Sequence, residues 1–131
     1  RGSEGGEIGK ALEELTEEIQ HSKREKNVRI LAMAADIVRM MNGGRLTSCK
    51  SAKDRTSMSV TWEQARILLR HHDMKDDHFL PAMSVMRSAG VRRENAYKNI
   101  GKNSFAFNSF QLRLIPDIYR APKGSGGAQI T

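Results

Sequence analysis

The sequence predicts an α/β fold that is helical over most of its length, with one short strand leading into a basic loop. Three observations carry that expectation. Apolar residues recur at helical spacing in several separate stretches. Between two of them, Arg45-Leu-Thr-Ser48 is too short for a helix and suits a brief strand. A single strand makes no sheet, so its partners are expected outside these residues. The chain has 131 residues, enough for one core.

The first six residues, Arg1 to Gly6, are rich in glycine and serine and read as disordered or a linker. Ile8, Leu12, Leu15 and Ile19 then give an amphipathic helix with an acidic outer face. Lys23 to Asn27 is a charged interruption, either a turn or a solvated part of one long helix. From Val28, Leu31, Ala34, Ala35, Val38 and Met41 form a second stripe, stopped by Asn42-Gly43-Gly44. Cys49 to Asp54 is small, polar and basic, which predicts a loop.

A longer helix is expected from Thr56 to about His71, burying Met58, Trp62, Ala65, Leu68 and Leu69. After a turn over Asp73 to Asp77, Phe79 to Ala89 reads as a helix, with Pro81 tolerated in its first turn. Another spans Arg92 to Asn99 and ends at Gly101. Phe107, Phe110 and Leu114 have helical spacing, while Phe105-Phe107 and Phe110-Leu112-Leu114 alternate, so neither pattern decides the element formed around these phenylalanines. They and Trp62 read as core anchors, and Arg92-Arg93 as a solvated helix start. Residues 7–122 are read as one folded region and 123–131 as a flexible tail.

Composition narrows the function. No apolar run approaches the roughly 18 residues of a membrane span, and the first residues lack the apolar stretch of a secretory signal. One cysteine excludes a disulfide framework and a thiolate-rich zinc site, and favours a reducing compartment. His71, His72 and His78 flank a turn without a convincing third ligand, so no metal is expected. Lysine and arginine number 22 against 15 acids, a formal net charge of +7, which favours an anionic partner. The positive charge converges on the cysteine loop.

There, Cys49 is followed by five residues, Arg55 and Thr56, between the expected strand and a helix start. Backbone N–H groups of a tight loop running into a helix N-terminus cradle an anion, and the same field stabilises a thiolate. Arg55 offers a planar fork for two phosphate oxygens. Thr56 is placed to hydrogen-bond the thiolate. Lys50 and Lys53 add charge at the rim, with Ser51 and Ala52 completing the floor. Against this stands a basic structural turn, and from the residues alone both readings stay open.

The string Cys49-Lys-Ser-Ala-Lys-Asp-Arg-Thr56 resembles the signature of the inositol polyphosphate 4-phosphatases. The likeness continues through Ala34-Ala-Asp36, Thr61 to Gln64, Arg92-Arg-Glu-Asn95, Phe107-Asn108-Ser109 and Tyr119-Arg-Ala-Pro122. It runs from about Asn27 to Pro122 and concerns only the C-terminal end of those large proteins. The resemblance implies the C-terminal part of a cysteine-dependent, dual-specificity-like phosphatase domain needing no cofactor. It also implies removal of the 4-phosphate from phosphatidylinositol 3,4-bisphosphate, with soluble inositol phosphates accepted. By the same likeness Cys49 is the nucleophile and Arg55 the phosphate clamp. Lys50, Ser51, Ala52, Lys53 and Thr56 bind substrate. Asp54 is the expected general acid, as in the Asp-Arg-Thr of the similar myotubularin and Sac-type lipid phosphatases. A cytoplasmic protein touching an acidic membrane peripherally is expected, with no nucleic acid. The alternatives are a cysteine phosphatase for another phosphate ester, or a basic anion-binding helical module without catalysis.

Overall fold

The computed structural model describes residues 2–23 and 26–126, so Arg1 and residues 127–131 of the expected tail lie outside the described residues. Two compact units divide the chain, Arg1–Leu46 and Thr47–Thr131.

The first unit is a pair of packed helices, α1 (Gly2–His21) and α2 (Arg29–Met40). Helical backbone therefore begins at Gly2, inside the glycine-rich start. Of the charged interruption, residues 24 and 25 lie outside the described residues; Asn27, beyond them, ties the start of α2 to the end of α1. Its amide nitrogen donates to Ser22 Oγ at 2.7 Å and to the Glu18 carboxylate, and its Oδ1 accepts the Arg29 N–H at 3.0 Å. Arg29 also pairs with Glu18 at 3.2 Å. Ala35 and Ile37 of α2 are buried, whereas Leu12 and Ile19 of α1 are exposed. At the end of α2, Gly43 N–H reaches the Val38 carbonyl and Asn42 N–H the Arg39 carbonyl. Asn42 takes the left-handed conformation (φ +58°) that this double cap requires.

The second unit is built on α3 (Asp54–His71), followed by a 3₁₀ turn (Asp76–His78) running into α4 (Phe79–Ser88). Then come α5 (Val91–Ile100), α6 (Ser109–Leu114) and a second 3₁₀ turn (Asp117–Tyr119). α3 packs on α4 and on the 117–119 turn. Met58, Ala65, Met83, Ala96, Phe105, Phe107 and Tyr119 form the core, and Trp62 tilts against Tyr119 with ring centroids 5.6 Å apart. Phe110, expected inside, is exposed: Asn108 caps α6 through a reciprocal bond with Gln111, and that register turns Phe110 outward.

Arg87 of α4 is buried and ties this core together. Its Nε donates to Thr61 Oγ1 at 2.9 Å, and Nη2 to the carbonyls of Met58 (3.0 Å) and Ile118 (2.6 Å). Nη1 reaches the Arg120 carbonyl at 3.1 Å. Burial pushes its pKa down from the ordinary arginine value.

The expected α/β class is not what forms. Residues 43–49 carry no regular structure, and the described residues contain no sheet, only an isolated parallel bridge between Phe105 and Gly126. A strand needs a neighbouring strand for its N–H and C=O groups, and among the described residues no strand pairs with Arg45–Ser48. Arg45 instead donates to the Leu31 carbonyl of α2 at 3.1 Å, and the Leu46 side chain is fully exposed. The dual-specificity-like arrangement of a strand leading into the loop is thereby corrected to an irregular segment leading into a helix.

Candidate active site

The loop from Cys49 to Lys53 enters α3 without a strand before it. Ala52 N–H bonds the Cys49 carbonyl at 3.1 Å, closing a tight turn, and Ala52 itself sits at φ +49°. α3 then begins at Asp54, two residues earlier than the expected Thr56, with its first bond from Ser57 N–H to the Lys53 carbonyl at 2.9 Å. The turn folds the cysteine back over the helix N-terminus, where backbone N–H groups lack intrahelical partners.

Thr56 locks that fold. Its Oγ1 accepts the Cys49 N–H at 3.1 Å, and its hydroxyl donates to the Cys49 sulfur. The Thr56 hydroxyl, with the backbone N–H groups of Ser51, Lys53 and Thr56, lowers the thiol pKa from 9.0 to about 6, against an opposing push from burial. At pH 7 this makes about ten thiolates for every thiol. Cys49 is half-buried.

The remaining residues of the string divide into two groups. Lys50, Ser51, Ala52, Lys53 and Arg55 are exposed, with Thr56 half-buried beneath them. Lys50, Lys53 and Arg55 thus put three cations on the solvent side of the loop. Asp54 alone turns inward and is buried. Its Oδ1 accepts from Arg92 Nε at 2.5 Å and its Oδ2 from the Ala106 N–H at 2.8 Å.

Arg92 is the residue that sequence reasoning missed. Expected as part of a solvated helix start, its side chain is only 13 % exposed. No local pattern signals a partner 38 positions away. Its neighbour Arg93 is also engaged, donating to the Asn103 and Ser88 carbonyls.

A cysteine with a lowered thiol pKa, backed by backbone N–H groups at a helix N-terminus and rimmed by three exposed cations, defines the class of the site: a basic cysteine loop. The particular family follows from comparison. Residues 3–119 match the family described as the INPP4A C-terminal domain. The chain is 49% identical over 124 residues to human inositol polyphosphate 4-phosphatase type II, covering 95% of this chain and 13% of that protein. It is 51% identical over 116 residues to the rat type II inositol 3,4-bisphosphate 4-phosphatase, covering 88% of this chain and 12% of that one. The chain belongs to the inositol polyphosphate 4-phosphatase family. It spans about an eighth of the length of these relatives. A 74-residue match, 34% identical, also links it to the human phosphatidylinositol 3,4,5-trisphosphate-dependent Rac exchanger 2 protein, covering 56% of this chain and 5% of that protein. No solved structure matches.

Proposed function

We propose that these residues carry the nucleophilic loop of a phosphoinositide 4-phosphatase acting on phosphatidylinositol 3,4-bisphosphate and on soluble inositol phosphates with adjacent 3- and 4-phosphates. The observation that supports this reading most is the convergence of the Thr56 hydroxyl and three backbone N–H groups on the Cys49 sulfur. The names of the type II relatives supply the substrate class.

In this mechanism the Cys49 thiolate attacks the 4-phosphorus in line. The S–P bond forms as the P–O bond to the inositol breaks, giving a cysteinyl-phosphate that water then hydrolyses. Arg55 grips two equatorial oxygens through the transition state. The N–H groups of the loop take the developing charge. Lys50 and Lys53 meet the neighbouring 3-phosphate, and Ser51 and Ala52 supply the loop backbone. Thr56 stabilises the sulfur as leaving group in the second step. The inositol oxygen leaves with a proton, for which Asp54 is the donor the resemblance implies; giving it requires Asp54 to be protonated and to loosen its hold on Arg92 or on the Ala106 N–H.

The exposed cations and the net charge suit peripheral contact with an acidic cytoplasmic membrane surface. No helix among the described residues is long and apolar enough to cross a membrane.

The experiment is free-phosphate release from vesicles containing phosphatidylinositol 3,4-bisphosphate. It uses the longest natural chain carrying these residues, wild type beside Cys49→Ser. Release by wild type alone supports the thiolate mechanism; equal release by both overturns it. A second reading has the loop bind polyphosphorylated inositol lipid without hydrolysis. The partial match to a protein named as a phosphatidylinositol 3,4,5-trisphosphate-dependent exchanger favours it. It predicts headgroup binding in both proteins and turnover in neither.

A further inference from the structure

Asp54 lies between two residues that the loop uses, Lys53, whose N–H faces the Cys49 sulfur, and Arg55. Its carboxylate joins three stretches of chain: the start of α3, the start of α5 through Arg92, and the extended segment before α6 through the Ala106 N–H. Both donors are themselves held. Gly90 allows the tight reversal that begins α5, since a Cβ there would stand 2.1 Å from the Met86 carbonyl oxygen. Gly101, at φ +66°, ends α5 and returns the chain towards the loop. Phe105 and Phe107 are buried on either side of Ala106, and Phe105 N–H bonds the Ser125 carbonyl at 2.7 Å.

This arrangement does two things for an anion-binding loop. It fixes the backbone on both sides of Asp54, and therefore the direction from which Arg55 leaves α3. It also sets a guanidinium against the one carboxylate in the loop, offsetting a negative charge that would otherwise repel a bound phosphate.

We propose that Arg92 is a positioning residue for the Cys49–Arg55 loop, acting through Asp54, and that Asp54 serves as the anchor of the loop. The inference rests on the thiolate-loop reading above and deepens it, giving Asp54 an anchoring role in place of the proton-donor role that the resemblance implies. Arg92 touches no reacting atom. Its contribution is the geometry and charge balance it imposes on those that do.

The test uses the longest natural chain carrying these residues, as wild type, Arg92→Lys, Arg92→Gln, Asp54→Asn and Arg92→Gln/Asp54→Asn. Two substrates are compared, phosphatidylinositol 3,4-bisphosphate, with a poor alkoxide leaving group, and an aryl phosphate whose phenol leaves without a proton. Cys49 alkylation by iodoacetamide is followed against pH by peptide mass spectrometry, and thermal unfolding reports folding. Arg92→Gln is expected to lower kcat/KM about 10- to 100-fold on both substrates alike and to move the alkylation midpoint upward. Arg92→Lys, which keeps the charge, recovers part of the loss. The double variant is no worse than the poorer single one, because both residues act as a unit.

Unchanged kinetics and alkylation in a folded Arg92→Gln would overturn the proposal. So would an Asp54→Asn that loses the lipid reaction but keeps the aryl phosphate, since that marks Asp54 as the proton donor. If wild type turns over neither substrate the phosphatase reading fails. The alkylation profile then decides the anchor by itself, with an upward shift supporting it and an unmoved midpoint overturning it. Should Arg92→Gln fail to fold, Arg92→Lys carries the same comparison.

Discussion

The Thr56 hydroxyl stands between the two ends of Cys49, accepting from its backbone N–H at 3.1 Å while donating to its sulfur. One side chain thus closes the loop and lowers the pKa of the Cys49 thiol. A local interaction of this kind is open to a simple pH experiment.

With the thiol lowered to about 6, the thiolate fraction rises through pH 6 and is nearly complete by pH 8. The alkylation rate of Cys49 should follow that curve and then level. Thr56→Ala removes the largest stabilising contact, so its midpoint should move up towards the ordinary thiol value, with the rate still climbing at pH 8. Thr56→Ser keeps the hydroxyl and should stay close to wild type. An unshifted Thr56→Ala profile would leave the backbone N–H groups as the whole cause.

Lys50 and Lys53 are exposed on the rim, so replacing either with glutamine should cost little stability, within about 0.5 kcal/mol. The effect belongs to recognition. Under the proposed function each substitution raises KM for a 3,4-bisphosphate several-fold, with less change for a 4-monophosphate, and weakens the dependence of KM on salt. Equal losses on both substrates would argue against contact with the neighbouring phosphate.

How much of this was legible in the sequence depends on range. The end of α2 at Asn42-Gly43 and the end of α5 at Gly101 were readable because each is a local backbone requirement carried by the residues that meet it. The contact of Cys49 with Thr56 is local in the same way, since both residues lie within one short string. The Arg45–Ser48 strand failed because strand identity depends on a partner, which short runs cannot announce. Buried Arg87 and half-buried Arg92 escaped for a related reason. Arg87 and Arg92 resemble any surface arginine locally, and their roles come from a hydroxyl, carbonyls and a carboxylate brought up from 26 to 38 positions away.

Arg87 should therefore matter to stability more than any other arginine of α4 or α5. Arg87→Met removes the donor to the Ile118 and Arg120 carbonyls and one of the donors to Met58, whose carbonyl keeps the Thr61 hydroxyl, and each covered acceptor left unpaired costs roughly 1–3 kcal/mol. A loss of about 3–5 kcal/mol is expected in urea unfolding. Arg87→Lys should recover little, since a single ammonium cannot span acceptors on two separate segments. A loss below about 1 kcal/mol for Arg87→Met would mean that the core rearranges to satisfy those groups.

Gly90 and Gly101 bound α5 and should respond differently to the same substitution. At Gly101 a side chain meets no atom within 4 Å, but the backbone sits at φ +66°, so Gly101→Ala costs only the left-handed penalty, about 1–2 kcal/mol. At Gly90 the backbone is extended (φ −81°, ψ 162°), which alanine adopts freely, yet its Cβ would fall 2.1 Å from the Met86 carbonyl oxygen. That oxygen belongs to helical backbone and cannot swing aside, so the start of α5 must move. Because Arg92 lies two residues further on, Gly90→Ala should disturb its pairing with Asp54 and shift the Cys49 alkylation midpoint, whereas Gly101→Ala should lower thermal stability with a smaller effect on the thiol. Both quantities measured in both variants test the point: equal midpoints would show that the N-terminal end of α5 does not communicate with the loop.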